Sequence, residues 1–284
     1  MLTTTMTPRI DAHQHYWKLS RGDYDWMQAP DLQPLRRDFL PEHLLPELNS
    51  QRIDKTVLVQ AAPTVQESDF LLELAERESS VLGVVGWIDC EAPDFERQLS
   101  QRNRRPAWLG IRPMLQDISD DHYLLRPTVL ESLNVLGSSG GRLDLLVTSR
   151  HLATVDQALC LVPGLPAVVD HCAKPDLRKK DLSDWCLGLE RVAAHPQVYC
   201  KLSGLVTEAP PGFSAVELAP AVEFVWSLFG PDRLMFGSDW PVCTLAASYD
   251  RVATLLYEIL GSRLSGAAEA NLFGRNALRF YGRD

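Results

Sequence analysis

Short runs of apolar, often β-branched residues recur along the chain, and between them lie stretches in which apolar residues return every three or four positions. A run with both faces apolar reads as a buried parallel strand, and the 3.6-residue period reads as a helix with one buried stripe. The pattern predicts a first strand at Arg9–Trp17, then strands at Lys55–Ala61, Val81–Asp89, Trp108–Pro113, Arg142–Thr148, Pro166–His171 and Val198–Gly204. An eighth begins at Arg233 and is stopped by Pro241. Helices are predicted at about Pro41–Ile53, Glu67–Glu78, Pro93–Asn103, Leu124–Leu136, Leu152–Leu161 and Asp184–Ala194. Val222, Val225, Trp226 and Phe229 form one helix face, Val252, Leu255, Leu256 and Ile259 another, and a last helix runs through Asn271–Ala277.

Eight strands alternating with helices are what a closed parallel (β/α)8 TIM barrel needs, and closure requires the first and eighth strands to meet. The alternative is an open doubly wound sheet, but the chain has no G-x-G-x-x-G or G-x-x-x-x-G-K-[ST] turn to hold a nucleotide phosphate. Residues 1–284 read as one domain, since a single barrel fits this length and no internal repeat or low-complexity tract interrupts it. The irregular piece Lys18–Asp38, which contains Trp26, Pro30 and Pro34, is long enough to serve as a lid or binding loop.

Charge narrows the possible partners. A formal charge of −9 with pI near 5.3 argues against a nucleic-acid groove or an anionic membrane surface. No run of about 18 apolar residues is present, and Met1–Pro8 lacks the apolar core of a signal peptide, so a cytoplasmic location with no membrane partner is expected. The six cysteines include no C-x-x-C pair and read as reduced, buried, small apolar residues. Nothing in the pattern specifies an oligomeric state.

Candidate chemistry gathers at the strand ends. His13 and His15 are separated by one residue, so strand alternation points both imidazoles to one face. Asp239 follows the eighth strand, and barrel closure would bring it beside them. The C-terminal rim, where barrel enzymes place their chemistry, then carries His13, His15, Gln60, Trp87, Asp89, Arg112, Thr148, His171, Lys201 and Asp239. Such polar groups atop apolar strands need partners or a ligand. Structural readings stand beside the functional ones. His171 alone could be a hydrogen-bonded core residue, Asp239 a cap, and Arg112 and Lys201 ion-pair partners of Asp11, Asp89 or Asp170.

The chain resembles the amidohydrolase superfamily, in the branch of sugar-lactone and dicarboxylate-lactone hydrolases that includes the L-fuconolactonases, L-rhamnonolactonases and 2-pyrone-4,6-dicarboxylate lactonases. The resemblance rests on Asp11–Trp17, Val84–Trp87, Gly110–Asp117, Asp170–Pro175, Cys200–Gly204 and Phe236–Pro241. It implies a site that is mononuclear or free of metal, because the lysine that bridges two metals in binuclear members is replaced by Ile111-Arg112-Pro113 and the following histidine by Val147-Thr148. The cofactor expectation is therefore none essential, or one divalent ion per chain, most simply zinc on His13 and His15 with Asp239 or His171, and activity that largely survives chelation.

The implied reaction is hydrolysis of a sugar 1,4- or 1,5-lactone. Asp239 is the expected base, with His13, His15 and Arg112 polarising the carbonyl and His171 orienting substrate or protonating the leaving alkoxide. Trp17, Trp87, Trp26, Gln60 and Lys201 are expected substrate contacts. No G-x-S-x-G elbow supports a serine nucleophile. Two other classes stay open: a metal-dependent decarboxylase or other hydrolase of the superfamily, and a sugar-binding barrel without turnover.

Overall fold

A computed structural model describes residues 7–283. Its strands are β1 (Ile10–Gln14), β2 (Lys55–Val59), β3 (Val81–Gly86), β4 (Trp108–Ile111), β5 (Leu143–Leu145), β6 (Ala167–Val169), β7 (Val198–Leu202) and β8 (Leu234–Phe236). All run parallel, in sequential order, with helices between them, which makes a single (β/α)8 barrel. The seam between β8 and β1 closes just beyond the strand ends. There the Asp239 amide donates to the His13 carbonyl at 2.8 Å and the His15 amide to the Trp240 carbonyl at 2.7 Å. The residues that finish the barrel are thus the residues that carry its polar cluster.

Two apolar cores follow from strand alternation. Inside the barrel lie Ile10, Ala12, Val57, Val59, Val85, Leu109, Val168 and Met235, closed from below by Ala277, Phe280 and Tyr281 of the last helix, Asn276–Tyr281. A larger core lies around it, with outward strand residues such as Leu58, Val84, Leu145 and Leu202 packed against Leu71, Leu133, Val155, Leu189 and Val225 of the helices.

Several strands are shorter than the apolar pattern predicts. β6 ends at Val169, because Asp170 to Ala173 leave the ladder as a turn that aims polar side chains at the rim. The helix Leu152–Leu161 has its predicted bounds. Another begins at Pro127, three residues after the predicted start, since proline is suited to a first helical position and Tyr123–Leu125 forms a separate 3-10 turn.

The long segment after β1 is three 3-10 turns, Leu19–Arg21, Asp25–Gln28 and Pro30–Leu35. Reciprocal backbone hydrogen bonds between Trp17 and Phe39, at 2.9 and 3.0 Å, clamp its ends. Beneath it the Trp17 ring packs edge-on against Trp26 and Phe39. The segment is therefore an anchored wall with its own small core.

Candidate active site

The cluster is built by a departure from regular pairing in β1. The register between β1 and β2 shifts between Asp11 and Gln14, and Asp11 holds that irregularity. Its Oδ1 accepts from the His13 amide at 3.0 Å and the Ser238 amide at 2.9 Å, while Tyr249 Oη donates to its Oδ2 at 3.0 Å. Gly237 is required alongside, since a Cβ there would sit 2.7 Å from the His13 Cβ. His13 Nε2 and His15 Nε2 end up 3.2 Å apart. Asp239 Oδ1 lies 3.3 Å from His15 Nε2, and 3.8 Å from both His13 Nε2 and His171 Nε2.

His171 arrives by an unusual route. His171, Cys172, Ala173 and Lys174 all have positive φ, from 48° to 58°, forming one left-handed turn without a single glycine. Such backbone costs roughly 1 kcal/mol or more per residue, a strain typical of functional sites. The turn carries both His171 and Lys174 to the same cavity. Ser203 Oγ fixes the His171 ring through Nδ1 at 2.9 Å, and Gly204 (φ 65°) leaves room for it, since a Cβ would meet the ring at 2.6 Å.

Below the histidines sits a buried charge network. Lys201, fully buried, donates to Asp144 Oδ2 and lies 3.0 Å from Asp170 Oδ1 and 3.2 Å from His13 Nδ1. Asp170 also lies 3.3 Å from His13 Nδ1 and accepts from Arg112 Nη1 at 3.4 Å. Arg112 donates in addition to the Gln60 carbonyl, and Gln60 Nε2 donates back to the Arg112 carbonyl at 2.7 Å. Burial raises the Asp170 carboxyl, but Lys201, His13 and Arg112 outweigh it and hold Asp170 well below the carboxylate range. Burial dominates at Asp144, pushing it up to about 6 against the pull of Lys201.

Burial lowers His13 well below the ordinary imidazole value and takes His171 down to about 4, although the neighbouring carboxylates oppose it. For Asp239 burial acts upward, yet the facing imidazoles of His171, His15 and His13 prevail and keep it an anion. The depressed His171 value has a sign in stability. Between about 6.5 and about 4 the unfolded imidazole binds a proton that the folded one refuses, so its stabilisation is lost as pH falls through that window. Urea unfolding at pH 7 and pH 5 should therefore show the wild type losing more stability on acidification than His171→Asn. Equal losses would place the His171 pKa near its unfolded value.

A cavity of about 410 Å³ opens above the cluster. His15, Arg112, His171 and Asp239 reach it, and so does Trp26, whose Nε1 donates to the Ala61 carbonyl at 2.8 Å. His13 lies one layer down, beneath His15 and His171. The other expected substrate contacts lie elsewhere. Lys201 and Gln60 are sealed in the network beneath the floor, Trp17 is buried under the loop with its Nε1 donating to the Arg37 carbonyl at 2.8 Å, and Trp87 is half-buried outside the lining.

Residues that the strand-end census leaves out also line the cavity: Asp31, Gln116, Asp117, Lys174, Arg178, Thr207 and Glu208. Lys174 Nζ donates to Gln116 Oε1 at 3.1 Å and pairs with Glu208 at 3.4 Å. Lys174 stands in the motif that ends the sixth strand, which is a usable signal. Gln116 and Asp117 likewise end the motif stretch Gly110–Asp117, whereas Asp31, Arg178, Thr207 and Glu208 sit on loops and single helical turns with no periodic signature.

A family model described as amidohydrolase matches residues 10–283. The chain belongs to the amidohydrolase family. An L-fucono-1,5-lactonase of Burkholderia ambifaria is 40% identical over 279 residues, covering 97% of this chain and 96% of that protein. An L-rhamnono-gamma-lactonase of Scheffersomyces stipitis is 26% identical over 228 residues, 66% of this chain and 63% of that protein. The crystal structure of a Burkholderia multivorans amidohydrolase with bound zinc superposes with a TM-score of 0.92 at 39% identity, covering 97% of this chain and 99% of that one.

This amidohydrolase offers a donor set that fits one divalent ion. His15 Nδ1 donates to the Val59 carbonyl at 2.7 Å, so its Nε2 presents a lone pair toward His13 Nε2 and Asp239 Oδ1. Neighbouring nitrogen and oxygen ligands of a tetrahedral zinc stand about 3.3 Å apart, close to the 3.2 to 3.8 Å separations found. His13, His15 and Asp239 form that set. A second grouping, His13, Asp170 and His171, is less suited, because Asp170 is already paired with Lys201 and Arg112.

Proposed function

We propose that this amidohydrolase hydrolyses a sugar 1,5- or 1,4-lactone to the free aldonic acid. The observation that carries the reading is the floor of the cavity, where anionic Asp239 meets His15 and His171, with His13 just beneath and Arg112 also on the lining, under a ring-sized space. The similarity to L-fucono-1,5-lactonase over nearly the whole chain supports it.

In this reading Asp239 takes a proton from the attacking water, a role served by its being charged yet shielded from bulk solvent. Arg112 stabilises the negative charge that develops on the carbonyl oxygen. His171 Nε2, 3.8 Å from Asp239, passes the proton on to the leaving ring oxygen. An ion held by His13, His15 and Asp239 would act as a Lewis acid on the carbonyl.

The walls favour a neutral, hydroxylated ring. Arg112, Lys174 and Arg178 are balanced by Asp31, Asp117, Glu208 and Asp239, so the lining carries no surplus of cations for a dicarboxylate. Trp26, Leu32, Met114, Leu146, Val242 and Leu245 supply apolar surface for the C–H face of the ring or a deoxy methyl group. Each turnover releases a proton, so a pH-indicator assay reads the reaction directly. Across a panel of aldonolactones, L-fucono- and L-rhamnonolactone should be among the best substrates, and pyrone dicarboxylate and simple alkyl lactones poor ones. A protein that hydrolysed the dicarboxylate and ignored every aldonolactone would overturn the substrate assignment. Silence on all of them would leave the decarboxylase or binding-protein readings.

A further inference from the structure

The six cysteines do not share one environment. Cys90, Cys172, Cys200 and Cys243 are buried, as small apolar residues should be, and Cys186 is partly so, but Cys160 is exposed. It lies one turn after Asp156 on the helix Leu152–Leu161, so both side chains occupy the same helix face. That helix descends from the rim after β5, which puts the pair near the end of the barrel opposite the cavity. At the same end His195 sits three residues before β7. Its carbonyl accepts from the Val198 amide at 3.1 Å and from Arg233 Nη1 at 3.2 Å, which fixes its backbone. Its Nε2 lies 2.8 Å from Asp156 Oδ1, a hydrogen bond between two partly exposed side chains that an ion would replace by spreading the pair to about 3.3 Å.

One donor atom from each of Asp156, Cys160 and His195 lies within 4.8 Å of the other two. We infer that these three residues form a zinc site on the face of the barrel opposite the catalytic cavity. A thiolate, an imidazole and a carboxylate suit zinc, whereas magnesium and calcium require oxygen ligands throughout. Solvent fills the fourth position, and the side chains of Asp156 and His195 are 28% and 17% exposed, so the ion can enter. Binding releases the Cys160 thiol proton to solvent as the sulfur becomes a thiolate ligand. The ion would pin the helix after β5 to the connection into β7, on the barrel face that governs stability. It is additional to any ion on His13, His15 and Asp239.

Cobalt(II) separates the two places, because the strand-end cluster contains no thiolate among its donors. Titrating the metal-stripped protein with cobalt(II) should give a near-ultraviolet thiolate-to-cobalt charge-transfer band whose final amplitude corresponds to one thiolate-bound ion per chain, whether or not a further equivalent fills the strand-end cluster. Cys160→Ser should abolish the band and leave lactone turnover unchanged. In the wild type, zinc should slow alkylation of Cys160, followed by peptide mass mapping, by about tenfold or more. A cobalt(II) titration without the band, a band that persists in Cys160→Ser, or alkylation of Cys160 at the same rate with and without zinc would each overturn the site. None of these readouts depends on lactonase activity.

Discussion

Replacing Asp239 by Asn is expected to lower lactone turnover by about two to four powers of ten, because the amide keeps the shape of the side chain but cannot accept the water proton. The fold should survive. Asp239 has φ of 58°, and asparagine is among the few residues that tolerate this left-handed conformation. Its backbone amide still donates to the His13 carbonyl, so the β1–β8 seam is retained. The loss should appear in kcat, measured by proton release, while the thermal transition and near-ultraviolet circular dichroism stay close to wild type. A folded Asp239→Asn protein with near wild-type kcat would show that another group removes the proton.

Lys201→Met should cost about 3–5 kcal/mol of unfolding free energy, the penalty typical of stripping one partner from a buried ion pair. The volume is nearly conserved, so the effect is electrostatic. Lys201 is fully buried between Asp144 and Asp170, and its loss leaves two buried carboxylates held by Arg112, His13 and Tyr281, none of which replaces the ammonium between them. Urea unfolding measures the loss. Adding Asp144→Asn to Lys201→Met should recover part of it, because one of the unpaired charges is then removed. A Lys201→Met protein within about 1 kcal/mol of wild type would mean that the network carries little net stabilisation, as happens when desolvation cancels attraction. Activity should fall as well, since Lys201 and Asp170 together hold His13 from its Nδ1 side.

Histidines at alternate positions, followed far along the chain by a strand that ends in Asp239, were sufficient to predict that His13, His15 and Asp239 come together. That inference works because strand periodicity is local and barrel closure is a topological necessity once eight strands alternate with helices. The fate of Lys201 shows its limit. A lysine on an inward strand position can reach up to the rim or sink between carboxylates, and the choice depends on Asp144 and Asp170 two and one strands away. The same holds for Trp17, whose place in the first motif suggests a wall of the site but whose ring anchors the following loop.

The sequence by itself determined the architecture, the approximate bounds of most elements and the grouping of His13, His15, His171 and Asp239, because apolar periodicity and strand order act through near neighbours and fixed topology. Only the tertiary structure decided which polar groups face the cavity and which are locked beneath it. It alone revealed the left-handed turn that lifts Lys174 beside His171, since no glycine marks those positions. It also brought Asp156, Cys160 and His195 together at the far end of the barrel. These outcomes depend on contacts between residues remote in sequence, where burial and pairing of charges outweigh any local preference.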